Sequence, residues 1–311
     1  MVCVIASFVA SGVANATEGA LGRVIPGTVL QSKAGVVPNT PVLAFNLTST
    51  YFDGKIDGSA ASPVAGRIAL DLETQLSVTT ATLYKAWDTG PGLWNFASSV
   101  AVPYVWNRVT ANLSVGGSSF ESEDTASGLF DLNVVPLIAG YHFSESSHLA
   151  LSLGIWAPTG DYASDNLTNV GLNYWTFIPT IAYTELIPDQ GIELTGQVAV
   201  QFNTENTDTD YESAPLLTVD ALAMKTLGKG FSAGLTVSWV EQLADDSGPL
   251  ADALDGFRGS SVAVGPVVSY SALVGGQLPL DVSLRWAPIV YSKNRFDGDG
   301  FTFTFSMPLP W

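Results

Sequence analysis

The last residues of the chain alternate without interruption. Phe301, Phe303, Phe305, Met307, Leu309 and Trp311 fall on one face of an extended strand, and Thr302, Thr304 and Ser306 fall on the other, because strand side chains alternate with period two. The same two-sided pattern recurs upstream. Ile192, Leu194, Val198, Val200 and Phe202 oppose Glu193, Thr195, Gln197, Gln201 and Asn203. Leu280, Val282, Leu284 and Trp286 oppose Asp281, Ser283 and Arg285. Ile68, Leu70, Leu72 and Leu76 oppose Asp71, Glu73 and Gln75, and Phe130, Leu132, Val134 and Ile138 oppose Asp131 and Asn133. Strand-like segments are predicted near 41–52, 67–86, 93–110, 128–141, 148–157, 172–185, 192–203, 215–226, 231–242, 261–273, 279–291 and 300–310. The eighth has the least clear register.

The gaps between these segments alternate in length. Long gaps at 53–66, 111–127, 158–171, 204–214, 243–260 and 292–299 interleave with short ones at 87–92, 142–147, 186–191, 227–230 and 274–278. Membrane barrels have short periplasmic turns and longer external loops. A soluble sandwich has no reason to sort its connections this way. The expected fold is all-β: a transmembrane antiparallel β-barrel of about twelve strands in an up-and-down meander.

Composition narrows the choice. Of 311 residues, 47% are apolar and 13% charged, against about 25% charged in ordinary soluble domains. No apolar run is long enough for a spanning helix, whereas strands of about 9–11 residues suffice for a tilted barrel. If lipid solvates one face, the charged face must point inward, because a base facing lipid at the bilayer midplane costs about 2–4 kcal/mol. Asp71, Glu73, Asp131, Asn133, Glu193, Gln197, Gln201, Asp281 and Arg285 are therefore expected to line the lumen. Trp156, Tyr162, Tyr174 and Trp175 lie near the long loops and are candidate contacts at the mouth. Tyr51, Trp94, Trp106, Tyr174, Trp175, Tyr183, Trp239, Tyr270, Trp286 and Tyr291 suit a girdle at the lipid–water boundary.

A net charge of −17 excludes nucleic acid as a partner, since phosphate binding needs clustered bases. The acidic clusters fall in the long gaps without the spacing of an EF-hand, and read as solvated loops; no metal site is expected. Catalysis has little material. His142 and His148 flank one short turn with Ser144, Glu145, Ser146 and Ser147, a setting too loose for a preorganised triad, so the turn reads as solvated. The chain reads as no enzyme and requires no cofactor.

Residues 1–16 read as a signal peptide: Val2–Val13 is apolar and Ala14-Asn15-Ala16 offers small residues at a cleavage site. No base precedes the apolar stretch, so the true start is expected to lie upstream. Residues 17–40, broken by Gly19, Gly22, Pro26, Gly27, Gly35 and Pro38, form a segment either in the periplasm or tucked into the lumen. The barrel occupies 41–311.

Several stretches together resemble one family. They are Ala157-Pro-Thr-Gly-Asp-Tyr162, Gly171–Phe177 with Pro179–Thr184, Phe202–Tyr211, Val264–Tyr270 and Lys293-Asn-Arg295. The chain is similar to the outer-membrane family named after the MetA pathway of phenol degradation. The resemblance implies a barrel in the bacterial outer membrane for passive uptake of small hydrophobic or aromatic solutes, in contact with membrane lipid and lipopolysaccharide. The aromatic end at Trp311 resembles the signal read by the barrel-assembly machinery. The competing expectation is a plugged structural or enzymatic small barrel without solute flux.

Overall fold

A computed structural model describes residues 22–56, 62–64, 67–90, 92–115, 118–276 and 278–310. Among them run fourteen strands: β1 (Val42–Ile56), β2 (Ser62–Val64), β3 (Arg67–Ala86), β4 (Trp94–Val115), β5 (Ser118–Leu129), β6 (Leu132–His142), β7 (Ser147–Ala157), β8 (Thr176–Ile187), β9 (Ile192–Asn203), β10 (Leu216–Gly228), β11 (Phe231–Gln242), β12 (Ser260–Val274), β13 (Leu278–Lys293) and β14 (Asp297–Leu309). Twelve of them close a barrel in meander order. β1 pairs with β3 on one side and with β14 on the other, so the sheet returns to its start with antiparallel ladders throughout. The strand segments expected from alternation coincide with the observed staves to within a few residues, apart from β5. The expected signal peptide and Trp311 lie outside the described residues.

The two additional strands belong to the outer rim. β2 pairs with the start of β3. β5 pairs with the outer part of β4, whereas β6 pairs with its inner part. β5 and β6 are thus one stave broken at Phe130–Asp131. The acidic run Glu121–Asp124, expected in a loop, lies on β5. β7 pairs with β6, and among the described residues no strand pairs with the second edge of β5.

The outward face is set by lipid. Trp286, Phe301, Tyr51, Ser77 and Trp106 follow one another across β13, β14, β1, β3 and β4 in direct register. This row is the aromatic boundary. Above it, on the same face, stand Asp53, Asp299 and Gln75, with Tyr51 donating to Asp53 and the Trp286 indole donating to Asp299 at 2.7 Å. Below it lie Phe303 and the exposed apolar side chains of the neighbouring strands, among them Leu284 and Val268.

β3 and β4 are 20 and 22 residues long, more than a bilayer requires at about 3.3 Å per residue, so their outer ends stand in water. Placing a charge on the lipid belt tests this orientation. Phe305→Arg, two pleats below the boundary row on the same outward face, should cost about 2–4 kcal/mol in urea unfolding from lipid vesicles. Thr304→Arg, one residue along and facing inward, should cost clearly less.

Candidate functional site: a plugged lumen with an apolar cavity

The segment before β1 runs through the barrel. Counting back from the periplasmic end of β1, Val37 packs against Gly140, where a Cβ would lie 2.4 Å from the Val37 Cβ. That position admits glycine alone. Gly35 donates its N–H to the Thr184 hydroxyl at 3.0 Å. Glu193 accepts from the Ser32 hydroxyl at 2.6 Å and from the Lys33 N–H at 2.7 Å. Leu30 is buried with Leu222, Met224 and Val267, and the Arg285 guanidinium donates to the carbonyls of Gly27 and Leu30 at 2.8 and 2.5 Å. Val24 packs with Leu216 and Val240.

At its upper end the plug is fastened by Arg23. Its guanidinium donates to Asp131 at 2.8 Å, to the Thr176 hydroxyl at 2.7 Å and to the Tyr174 carbonyl at 2.8 Å. Phe130, Trp156 and Tyr174 surround it, with ring centroids 5.2–5.6 Å away, within cation–π range. Both side chains of the Arg23–Asp131 pair are almost wholly buried. Asp131 also accepts the N–H groups of Thr159, Gly160 and Leu172 at 3.0, 2.9 and 3.2 Å. One carboxylate, seated at the break between β5 and β6, therefore holds both the plug and the loop joining β7 to β8.

That loop lies against the inner face of β5. Asp124 accepts the N–H groups of Leu167 and Thr168, and Val170 packs on Gly128. Plug, loop and the wall of β3, β4 and β7 line a partly open cavity of about 220 Å³. Leu72, Leu76, Val78, Val105, Val109 and Leu172 supply apolar walls, and Phe130, Trp156, Tyr162 and Tyr174 supply rings. Polar groups are few and joined: Thr74 donates to Asn107 at 2.9 Å, and Asn107 donates to Thr168 at 2.7 Å.

The sequence model of the family described as "Putative MetA-pathway of phenol degradation" matches residues 56–305. The chain belongs to this family. Among solved structures, an outer membrane channel from Pseudomonas putida F1 superposes with a TM-score of 0.66 at 15% identity, covering 90% of this chain and 100% of that one. The β-domain of the Bordetella autotransporter BrkA gives 0.49 at 12% identity, with 86% and 100% covered. A Pseudomonas aeruginosa FadL homologue gives 0.45 at 10% identity, with 95% and 98% covered. A search of curated proteins found no match. The fold is that of an outer-membrane channel barrel.

Within this MetA-pathway family barrel, the residues singled out from sequence separate into groups. Asp131, Asn133, Glu193, Gln197, Gln201 and Arg285 face inward. Asp281 does too, at the exposed periplasmic rim, where it accepts from Ser271. Asp71 and Glu73 do not. Leu72, Thr74 and Leu76 take the inward positions of β3, and Glu73 shares the outward face with Gln75, opposite Lys55. The physical reason is height: this part of β3 has left the bilayer, so its outer face meets water and its inner face meets the apolar cavity. A register break between Leu70 and Glu73, with Asp71 at φ +49°, marks the departure.

Of the four mouth aromatics, Trp156, Tyr162 and Tyr174 line the cavity. Trp175 instead faces outward, stacked near Phe177 with 6.4 Å between centroids. Tyr174, expected in the girdle as well, is buried inside. Ile138, expected on the lipid face, is turned inward by a register shift between Val134 and Ile138 and joins the cluster around Val37. His142 and His148 are not a solvated turn. They face each other across the β6–β7 hairpin with Nδ1 atoms 2.6 Å apart, and His148 is buried beneath the plug at Gly35.

The opposite wall is polar. Thr218, Asp220, Ser238 and Ser261 are buried on β10–β12, Asp220 standing in register with Ser238 and Gln197. Above them the outer loops are tied together. Asp246 accepts from Tyr211 at 2.5 Å, from the Ala214 N–H at 2.7 Å and from Gln242 at 2.7 Å. Arg295 donates to the Val24 carbonyl at 3.1 Å. Burial lowers the Arg295 guanidinium to about 10, and Asp246 opposes the fall, so it stays charged at neutral pH.

Sequence reasoning missed Arg23. Its signal, a base followed closely by Pro26-Gly27, lay in a segment whose location was open. Removing one partner of a buried pair leaves the other charge uncompensated, at about 3–5 kcal/mol. Arg23→Ala should therefore loosen the plug tip while the barrel stays closed. Single-channel recordings should show larger and noisier conductance, and the N-terminal segment should become protease-sensitive in folded, heat-modifiable protein.

Proposed function

We propose that this barrel carries small hydrophobic or aromatic compounds passively across the outer membrane. The observation that carries the reading is the apolar cavity beside the plug tip. An engineered apolar cavity of about 150 Å³ binds benzene, so about 220 Å³ suits one substituted ring or a compact pair, and is small for a long acyl chain. Four rings and aliphatic side chains offer dispersion and burial, while the Thr74–Asn107–Thr168 chain gives a polar substituent something to bond. The family and the channel fold agree with a route for such solutes. Passage down a gradient needs neither cofactor nor ATP. The belt of apolar side chains is proposed to sit in lipid with lipopolysaccharide above it, and Trp311 to engage the assembly machinery.

The fastened plug and tied loops favour a second reading, a sealed barrel that passes nothing. Proteoliposome flux separates the two. In asymmetric vesicles whose outer leaflet is lipopolysaccharide, purified protein should accelerate toluene and phenol entry over protein-free vesicles and leave sugars of similar size excluded; no acceleration of either aromatic there favours the sealed barrel. Val105→Trp, which fills the cavity, should reduce aromatic flux at least tenfold without loss of heat-modifiable folding.

A further inference from the structure

The plug does not sit on the barrel axis. Its two ends are fastened elsewhere, Val37 against Gly140 and Arg23 to Asp131, but between them its anchors Thr184, Glu193, Leu222, Val267 and Arg285 belong to β8, β9, β10, β12 and β13. Gly27 lies so close to this wall that a Cβ would be 2.7 Å from the Ala287 Cβ and 3.3 Å from that of Ala263. Inward side chains here, such as Thr195, Thr218, Thr236 and Ser238, are buried. The facing wall is different. On β1, β3 and β14 the inward residues below the cavity fall in register rows: Thr80, Thr48 and Thr304 in one, and Thr82, Asn46 and Ser306 in the next. All six are partly exposed, whereas their counterparts on the anchored wall are buried. Among the described residues the plug's side-chain bond to these rows is a long one, 3.5 Å from Thr304 to Gln31.

This strip begins where the cavity ends. On β3 the inward column reads Leu72, Thr74, Leu76 and Val78 along the cavity, then Thr80 and Thr82, before Tyr84 and Ala86 pack on Val37 of the plug and leave the β1 and β14 side of the strip as the way down. The wall changes from apolar to hydroxyl-bearing within one pleat, and these rows carry no charge. Conduction requires sites that bind well enough to admit a solute and weakly enough to release it. Uncharged hydroxyls in successive rows, about 7 Å apart along a strand, meet that requirement for a neutral hydrogen-bonding group.

Resting on the uptake reading above, we propose that the hydroxyl rows of β1, β3 and β14 are the descent path from cavity to periplasm, selective for neutral aromatic solutes that carry a hydroxyl. The solute's hydroxyl exchanges one row for the next while its ring slides between the wall and the plug.

The test is the phenol-to-toluene ratio of protein-dependent flux, after subtraction of protein-free vesicles, in lipopolysaccharide-coated proteoliposomes of the full chain. The triple variant Thr48→Val, Thr80→Val, Thr304→Val keeps shape and deletes hydroxyls, and should lower the ratio at least fivefold with toluene flux maintained. Thr→Ser at the same positions should restore the ratio. Ser238→Ala with Ser261→Ala, on the anchored wall, should leave it unaltered. An unchanged ratio in the triple Val variant, with toluene still passing, overturns the proposal.

Should the triple variant fail to fold, Thr80→Cys modified by a bulky thiol reagent replaces it. Block of both solutes supports the path; undiminished flux overturns it. If the unmodified protein passes neither solute, the uptake reading itself fails and the path with it, an outcome distinct from an altered ratio.

Discussion

Hydrocarbon offers no partner to a backbone N–H or C=O, and this single deficiency governs the molecule. A sheet that crosses a bilayer must return to its own first strand, and here the β1–β14 ladder does so over thirteen residue pairs. Once closed, twelve strands leave more room than inward side chains fill. The space must be taken by water or by chain. This chain uses its own N-terminal segment, and the buried charged groups that meet it, Glu193 and Arg285 above all, bond to the plug rather than to each other.

The Arg23–Asp131 pair is the counterpart of that arrangement at the upper end. A buried ion pair contributes little net stability against its desolvation, but it is demanding in geometry. Asp131 meets that demand because the stave is broken beside it. With β5 and β6 separated at Phe130–Asp131, the carboxylate reaches the loop amides and the plug guanidinium together. The cavity is the volume left between these two attachments, which explains why its walls come from strand, loop and plug alike.

Much of this was legible in the alternation of β9, β13 and β14, where lipid faces one side and the lumen the other over the whole strand. It failed where that premise changes. Asp71 and Glu73 obey the same period as before, but at their height the outer medium is water, so polarity no longer reports direction. Ile138 was misplaced because an extra residue near Pro136 is invisible to a period-two reading. Trp175 and Tyr174 are adjacent and equally aromatic, and the facing of each depends on where β8 begins. The Arg23–Asp131 contact joins positions 108 apart, and no local pattern encodes it.

The off-centre seat of the plug has an evolutionary corollary. One arc of the cylinder carries most of the mid-height fastenings, and a different arc is touched there only lightly. Drift on β1, β3 and β14 can vary the chemistry of the open crescent without unbuttoning the stopper, so related barrels sharing one scaffold are free to diverge in what they admit.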